Sequence, residues 1–277
     1  TANDDLHRLL NKEDLVEIIK YVIKINNGLG DADDIDHLGN RRIKSVGELL
    51  QVEIRRGFLQ LRSNILEKIS LQPRDSFPEP SALISTKPVS SKIRSTNLHD
   101  TYNPLTRLDF LRRTNAAGLT KERAGLAVRD VHYSQYGKIC AVRTPEGSNI
   151  GLVTFLSIYA RINEFGFIET PYFKLDKSGD KVKVTDEVVY LAAYDEDNHY
   201  IVGYGAEVDE NDYIVENQVP LRKKGQFVLG NPNQADYIDV DSAQIIGITA
   251  GLIPFIQSDD VARTLIASSQ LNQAVPL

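Results

Sequence analysis

The sequence predicts an α+β fold, with a helical N-terminal part, an irregular middle, an antiparallel β-rich module and a short α/β C-terminal end. Apolar residues recur at helical spacing in the first third; the first such series is Leu15, Ile18, Ile19, Val22 and Ile23. After about residue 152 the pattern changes to alternating β-branched or aromatic and polar residues, which is typical of strands. A composition of 42% hydrophobic and 25% charged residues indicates a globular protein.

Two helices are predicted in the N-terminal third. The first ends at Asn27-Gly28. Ser45 and Glu48 have the spacing of a capping box and should open a second, long amphipathic helix. Its apolar positions are Leu49, Val52, Phe58, Leu61, Ile65, Leu66 and Ile69. A loop or domain boundary is predicted where prolines follow, at Pro73, Pro78 and Pro80. Residues 84–118 should be loops with short helical pieces.

The second half should contain several short strands and a final helix. The predicted strands are 153–160, 168–175, 181–184, 188–193 and 199–204, with a strand pair in 219–229. Turns are predicted at 178–180 and 195–198. A buried strand is predicted over 238–248, and Ser258-Asp259-Asp260 should cap a helix over 261–272.

The charge of the chain is unevenly distributed. With 32 Lys and Arg against 38 Asp and Glu, the net charge is −6, which argues against nucleic-acid binding through the overall field. Residues 100–150 nevertheless hold eight basic and five acidic residues, whereas residues 181–240 hold five and twelve. One region could face phosphates while the other faces solvent or a partner. Charge scattered over solvated faces is the alternative interpretation.

Several classes of protein are disfavoured by the sequence. No apolar run reaches the roughly 18 residues that a membrane span needs, and the polar, acidic start is not a secretory signal. The single cysteine, Cys140, excludes an internal disulfide framework, fits a reducing cytoplasm and is expected to be a small buried residue. The five histidines lack zinc-ligand spacing, and neither a P-loop nor a Gly-x-Ser-x-Gly elbow is present. The start without methionine and the abrupt end indicate a piece of a longer chain.

Two groups of charged residues suggest binding. An acidic cluster could hold Mg²⁺, but it departs from an EF-hand loop, so an exposed acidic turn is the favoured interpretation. The cluster comprises Asp31, Asp33, Asp34 and Asp36. The pairs Arg41-Arg42 and Arg112-Arg113 suit nucleic-acid contact, because a guanidinium binds phosphate or guanine through two hydrogen bonds. Structural ion pairs, for example with Asp34 or Asp36, are an equal alternative.

Residues 119–152 combine arginines, glycines, one proline and aliphatic residues in a pattern that no simple structural rule requires. This segment resembles the fork region of the β subunit of bacterial-type multisubunit RNA polymerase. Residues 143–152, Arg-Thr-Pro-Glu-Gly-Ser-Asn-Ile-Gly-Leu, are close to the signature of that family. Further blocks resemble the same subunit, in the same order, and together they cover most of the chain. They are residues 33–48, 164–172, 253–255 with the following Asp259-Asp260, and 273–276.

The resemblance implies four parts. Residues 1–77 would end a lobe- or protrusion-like helical region, 78–155 would be the fork, 156–237 an external β-rich module, and 238–277 the start of the hybrid-binding region. It also implies two sets of binding residues. The first, for DNA, comprises Asp36, Arg41, Arg42, Leu119, Arg123 and Val128, and all of these except Arg42 and Arg123 would form a pocket for a non-template-strand guanine. The second, along the RNA path and in the rifamycin pocket of the family, comprises Asp100, Phe110, Arg113, Asn115, Glu146 and Asn149.

The fork differs from the family pattern at several positions. The stretch before Asn103-Pro104-Leu105 is shorter, and the usual Leu-Gly-Pro-Gly-Gly tip is reduced to Ala116-Ala117-Gly118. Phe110 replaces a histidine, Asn115 a serine and Lys121 an arginine. Removing a hydrogen-bonding group from a buried drug site costs about 1–3 kcal/mol, so weaker rifamycin binding is expected.

In this family the catalytic Mg²⁺ is held by the β′ subunit, and the β arginines that touch the incoming triphosphate would follow Leu277. The resemblance therefore implies no catalytic or metal-binding residue in this chain, which should be inactive alone. The expected partners are the β′, α and ω subunits, σ factor, both DNA strands and nascent RNA, in the cytoplasm with the nucleoid and away from membranes. Two other classes stay open: a stand-alone module that binds single-stranded nucleic acid, and a structural protein whose acidic module docks a partner.

Overall fold

A computed structural model describes residues 10–30, 32–73, 79–96, 103–116, 121–179 and 181–274. The chain divides into two compact units, Thr1–Asp36 and His37–Leu277. Both helices and largely antiparallel sheets are present, so the predicted α+β class is confirmed. In the described ranges, no helix has the length and apolar character needed to cross a membrane.

The first unit contains the predicted helix α1, Lys12–Asn26. It begins after Asn11, whose backbone N–H donates to the Asp14 carboxylate at 2.8 Å, so a capping box that was not predicted closes this end. It ends at Asn27, and Gly28 follows at φ +70°, a conformation that glycine adopts at little cost.

The second unit opens with the predicted long helix, α2, Val46–Ser70. Its capping box is not completed: the Ser45 side chain makes no capping hydrogen bond, while the Glu48 carboxylate accepts two from Arg42, at 2.8 and 3.1 Å. A guanidinium is a charged donor and therefore the stronger partner for a carboxylate. The short helices predicted within 84–118 are α4 Lys87–Thr96 and α5 Pro104–Leu111; a further short helix, α3 Pro80–Leu83, was not predicted and begins at the last proline of the predicted break.

Two sheets follow. Strands β1 Arg113–Asn115 and β2 Val153–Phe155 form an antiparallel pair. The second sheet contains β3 Arg161–Ile162, β4 Ile168–Asp176, β5 Lys183–Ala192, β6 Ile201–Val202, β7 Val219–Lys223, β8 Gln226–Gly230 and β9 Tyr237–Asp239. Its order is β3-β4-β9-β6-β7-β8, with β5 also paired to β4, and only the β6–β9 pair is parallel. The remaining helices are α6 Ala193–Glu196, α7 Ile248–Gly251 and α8 Val261–Gln273.

The strand predictions succeed in part. Strand β4, the β7–β8 pair and α8 are confirmed. The two strands predicted at 181–184 and 188–193 are one continuous strand, β5, and the polar residues 185–187 between them lie opposite β4 at a shift in register, without regular pairing. There the Thr185 hydroxyl donates to the Lys174 carbonyl at 2.7 Å, and Lys174 pairs with Glu187 at 3.2 Å.

The prediction of a buried strand over 238–248 is wrong. Strand β9 ends at Asp239, and a helical turn, Ser242–Ile245, precedes α7. The Asp241 side chain accepts a hydrogen bond from the Ala243 N–H at 2.9 Å, which stabilises the turn against an extended chain. The strands predicted at 153–160 and 199–204 are shorter, as β2 and β6, and α6 occupies part of the turn predicted at 195–198.

A small apolar cluster joins the beginning of the second unit to the sheet. Leu38 packs with Ile139 and Leu156 from the middle of the chain, and with Ile168 of β4. Burial of side chains of this size stabilises by about 1.5–3 kcal/mol each, so this cluster holds three distant stretches of sequence together.

Candidate nucleic-acid interface

An open cleft of about 470 Å³ lies within the second unit. Its lining comes from residues 38–49, from β1 and β2 with their neighbours, and from residues 128–139 and 168. Four lining side chains are basic: Arg41, Arg42, Lys44 and Arg113. Among the described residues that line it there is no aspartate or glutamate. The cleft therefore presents positive charge beside an apolar surface that includes Leu38, Val128 and Ile139.

The segment that carries Arg41 and Arg42 is fixed by its preceding residues. The Leu38 N–H donates to the Ser134 hydroxyl at 3.0 Å, and the Gly39 N–H donates to Nδ1 of His37 at 2.9 Å. His37 is buried, and its Nε2 lies 3.2 Å from the Asp197 carboxylate. These contacts fix the backbone just before Arg41 and Arg42, and the side chains of both arginines line the cleft.

Arg42 also forms an ion pair with Glu48, and both side chains are partly exposed. Hydrogen bonding to Glu48 raises the pKa of Arg42, and the same bond lowers the pKa of Glu48. The ion-pair alternative from the sequence thus holds for Arg42, with Glu48 as its partner. Because the pair is exposed, its contribution to stability is small, and Arg42 keeps access to the cleft.

The second arginine pair divides into one structural and one exposed residue. The Arg112 guanidinium donates to the carbonyl oxygens of Ser157, Ile158 and Ala160, and burial lowers its pKa. Arg113, the first residue of β1, lines the cleft, where its Nε donates to Asn115 Oδ1 at 3.2 Å. Arg112 is the C-cap residue of α5, at φ −103° and ψ 8°, so the two neighbours belong to different elements and their side chains have different surroundings.

The loop carrying the signature segment is held by Arg129. Its guanidinium donates to the carbonyl oxygens of Ser148 at 2.8 Å, Ile150 at 2.9 Å and Lys121 at 3.0 Å. Gly151, at φ +72°, lies so close that an added Cβ would be 2.6 Å from Cα of Arg129. The glycine in the signature therefore permits close approach of two backbones.

Arg143, the first residue of the signature, is buried away from solvent. It pairs with Asp109 at 3.2 Å, donates to Ser269 at 2.7 Å, and its guanidinium carbon lies 4.7 Å from the Phe155 ring centroid. Nearby Cys140 is buried, as predicted, and its Sγ accepts the Arg143 N–H at 3.2 Å. Of the basic residues counted in 100–150, Arg143 and Lys138 are thus buried in the fold, and Arg112 is held by backbone carbonyl groups.

The cleft brings together members of both predicted binding sets: Arg41, Arg42 and Val128 from the first, Arg113 and Asn115 from the second. Other predicted residues are exposed but do not line it; these are Phe110, Arg123, Glu146 and Asn149. Asp36 is described in the first unit, where its N–H donates to Asp34 Oδ1 at 3.0 Å. Leu119 and Asp100 lie outside the described residues.

Lys44 and Gln135 are among the lining residues that the sequence analysis missed. Lys44 continues the basic run of Arg41 and Arg42, and this run was the available signal. Gln135 carried no signal, because only the packing of residues 133–139 on the sheet brings it to the cleft. Predicting such a residue requires the tertiary fold.

The acidic cluster forms no metal site among the residues described. No group of three or more His, Cys, Asp or Glu side chains there is arranged to hold an ion. Asp33 accepts a hydrogen bond from the Tyr21 hydroxyl at 3.1 Å, and Asp34 caps the Asp36 N–H, which fits the exposed-turn interpretation. Asp31 is outside the described residues.

Comparison with protein families gives three matches along the chain. Residues 2–44 match RNA polymerase Rpb2, domain 2; residues 97–162 match RNA polymerase Rpb2, domain 3; and residues 172–241 match the RNA polymerase beta subunit external 1 domain. These matches define the class as large subunits of multisubunit RNA polymerases.

Individual relatives narrow the class further. The chain is 42% identical to the DNA-directed RNA polymerase subunit beta of Acetivibrio thermocellus, over 99% of this chain and 23% of the relative. It is 44% identical to that of Geobacter sp. (strain M21), over 97% of this chain and 20% of the relative. The chain belongs to the bacterial-type RNA polymerase β-subunit family, and it spans about a fifth of the length of these curated relatives.

Proposed function

We propose that this chain acts within a DNA-directed RNA polymerase, where it lines the downstream fork and the RNA–DNA hybrid during DNA-templated RNA synthesis. The observation that carries the proposal is the cleft, with four basic side chains and no acidic one among its described lining residues. Phosphate contacts from arginine and lysine supply most of the affinity of proteins for nucleic acid, and they are insensitive to sequence.

The geometry of the cleft suits a nucleic-acid strand. Arg41 and Arg113 belong to different segments of the chain, so one strand could contact both cations along its backbone. Apolar side chains between them, such as Val128 and Ile139, offer a surface on which a base can pack. The predicted guanine pocket shares Arg41 and Val128 with this cleft.

Catalysis in this proposal belongs to the assembled enzyme. The Mg²⁺ that drives nucleotidyl transfer would be held by the β′ subunit, and this segment would position nucleic acid. The proposed partners are β′, α, ω and σ, with both DNA strands and the nascent RNA, in the cytoplasm at the nucleoid. The segment would be one part of a nucleotidyltransferase, and the segment alone would have no activity.

The proposal is tested with Arg113→Ala in the full-length subunit, assembled into polymerase. Binding of forked DNA, measured over a range of salt concentrations, should weaken, and the slope of log affinity against log salt should decrease by about one, because the arginine would neutralise one phosphate. Arg55→Ala, at an exposed position of α2 that does not line the cleft, is the matched control. Identical salt slopes for Arg113→Ala and the unmodified enzyme would refute cleft binding.

The guanine pocket has a separate test. Asp36→Ala and Arg41→Ala should reduce the preference for a non-template guanine while elongation is largely retained, because Asp accepts hydrogen bonds from guanine donors that other bases lack. An equal reduction in binding for all four bases would contradict the pocket.

The same cleft would also suit a stand-alone module that binds single strands without polymerising, since it lies within one compact unit. Stoichiometric copurification with β′-like and α-like subunits favours the polymerase role. Strong, salt-sensitive binding of single strands without those subunits favours the module.

A further inference from the structure

Residues 135–139 contact two different environments. Gln135 and Ile139 line the cleft, whereas Tyr136 contacts Asp239 of the large sheet and Lys138 contacts Glu196 of α6. Gly137 between them is buried at φ +66°, and a Cβ there would lie 2.8 Å from the Thr170 hydroxyl. The segment is therefore pressed against the sheet on one side while it forms a wall of the cleft on the other.

The first contact is a buried ion pair. Lys138 is fully buried, and its Nζ lies 2.6 Å from Oε1 of Glu196 in α6. The hydroxyl of Tyr172, which is also fully buried in β4, donates to the same Glu196 oxygen. Burial lowers the pKa of Lys138, and the Glu196 carboxylate opposes that shift.

The second contact is a charged stack. The Arg222 guanidinium carbon lies 3.4 Å from the ring centroid of Tyr136, and its Nη2 donates to Asp239 Oδ1 at 3.2 Å. The Tyr136 hydroxyl donates to the other Asp239 oxygen at 2.7 Å. Because Arg222 Nη2 also reaches the Tyr172 hydroxyl at 3.2 Å, the two contacts form one connected network.

A network of this kind is a poor source of net stability but a strong geometric constraint. The desolvation of two buried ion pairs offsets most of their attraction, whereas removing one partner leaves a buried charge unpaired. The ion pairs and hydrogen bonds have good geometry only when Tyr136 and Lys138 lie in one position. The network therefore also fixes Gln135 and Ile139, the residues that flank them.

We propose that Lys138, Glu196, Arg222 and Asp239 are positioning residues for the cleft: they fix residues 135–139 and thereby set the place of Gln135 and Ile139 in its wall. None of the four except Lys138 belongs to this segment, and none lines the cleft. The consequence for nucleic-acid binding rests on the proposed function, whereas the consequence for the wall itself does not.

The wall is tested first, without nucleic acid. Gln135→Cys is introduced into the full-length subunit of the assembled enzyme, and its labelling rate by a thiol reagent is measured by mass spectrometry of that peptide. Adding Glu196→Gln, which preserves volume and removes the charge, should change the rate several-fold. Adding Glu187→Gln, at an exposed ion pair of the same module, should leave it unchanged. If Glu196→Gln prevents assembly, Tyr172→Phe removes one hydroxyl of the network and is compared in the same way.

Binding of forked DNA is tested second, by a double-mutant cycle between Glu196→Gln and Gln135→Ala. If the effects of the two substitutions on the free energy of DNA binding are not additive, Glu196 acts through the cleft wall. Additive effects overturn that part of the inference. An unchanged labelling rate overturns the inference as a whole, even if Arg113→Ala confirms the cleft. If Glu196→Gln changes the labelling rate but Arg113→Ala leaves DNA binding unchanged, the positioning role is upheld and the proposed function is refuted.

Discussion

Replacing Asp109 with asparagine should strongly destabilise the region around the signature segment. The buried Asp109 carboxylate of α5 receives hydrogen bonds from Arg143 Nη2 at 3.2 Å and from the Thr249 hydroxyl at 2.8 Å. The Asn272 side-chain amide donates to it as well. One carboxylate therefore joins α5, the signature segment, α7 and α8.

The magnitude follows from the charge left behind. Asp109→Asn keeps the volume of the side chain and an acceptor for Thr249, but it leaves Arg143 buried without its counter-ion. Breaking a buried ion pair by removing one partner costs about 3–5 kcal/mol. Arg143 retains Ser269 and the Phe155 ring, so we expect the lower end, about 3 kcal/mol, or roughly a 100-fold change in the opening equilibrium.

The assay is limited proteolysis of the full-length subunit under native conditions, with cleavage near the signature segment followed over time. When local opening is fast relative to cleavage, the cleavage rate reports the population of the open form. Glu17→Gln, at the exposed Lys20–Glu17 pair, is the control and should change the rate little. If Asp109→Asn is cleaved no faster than this control, the argument from the buried charge is refuted.

Three further predictions concern other features. Gly151→Ala should lower the stability of the signature loop by about 1–3 kcal/mol, because alanine would have to adopt a positive φ and its Cβ would clash with the backbone of Arg129. The loop should then be cleaved faster in limited proteolysis. An unchanged cleavage rate would show that the two backbones can move apart. Hydrogen bonds from a backbone N–H and from the Tyr159 hydroxyl hold the pKa of Asp241 below its ordinary value, so the folded state binds fewer protons there than the unfolded state. Stability should therefore decline as the pH falls below about 4, and thermal unfolding of Asp241→Asn in the full-length subunit should be less sensitive to pH in that range. The resemblance implies that Phe110 would stand where the rifamycin pocket of the family has a histidine, so we expect rifamycin to inhibit the assembled enzyme weakly; a titration with ordinary potency would contradict this.

The sequence predicts elements well where one local pattern decides the structure. The helical spacing of Leu15 to Ile23 gives α1, and the alternation in 168–175 gives β4. The failures occur where two local preferences compete. Residues 238–248 are apolar enough for a strand, but Asp241 turns the chain through its own hydrogen bond. Residues 181–193 contain a polar stretch that looks like a turn, but pairing with β4 on both sides of it makes one strand. A cross-strand partner cannot be recognised from the strand alone.

The candidate site shows the same limit at the level of single side chains. Residue type left nucleic-acid contact and structural ion pairs as equal alternatives for both arginine pairs. In the structure, the two members of the second pair have different surroundings. Arg113 lines the cleft, whereas Arg112 donates to three backbone carbonyl groups, although the two residues are adjacent. Arg112 is the C-cap residue of α5 and Arg113 is the first residue of β1, and residue type alone does not show that an element boundary separates them.

The distribution of charge explains how an acidic chain can present a basic cleft. The net charge is −6, and residues 181–240 carry twelve acidic side chains. Two of these acids, Glu196 and Asp239, are used inside the module to pair with Lys138 and Arg222, so they cannot neutralise the cleft. Screening at physiological salt limits the reach of the remaining exposed acids of this module to about 8 Å. The local field of the cleft is therefore set by its lining cations, one of which, Arg42, is paired with Glu48. In the proposed roles, the acidic module would therefore hold the cleft wall in place without weakening the attraction of the cleft for phosphate.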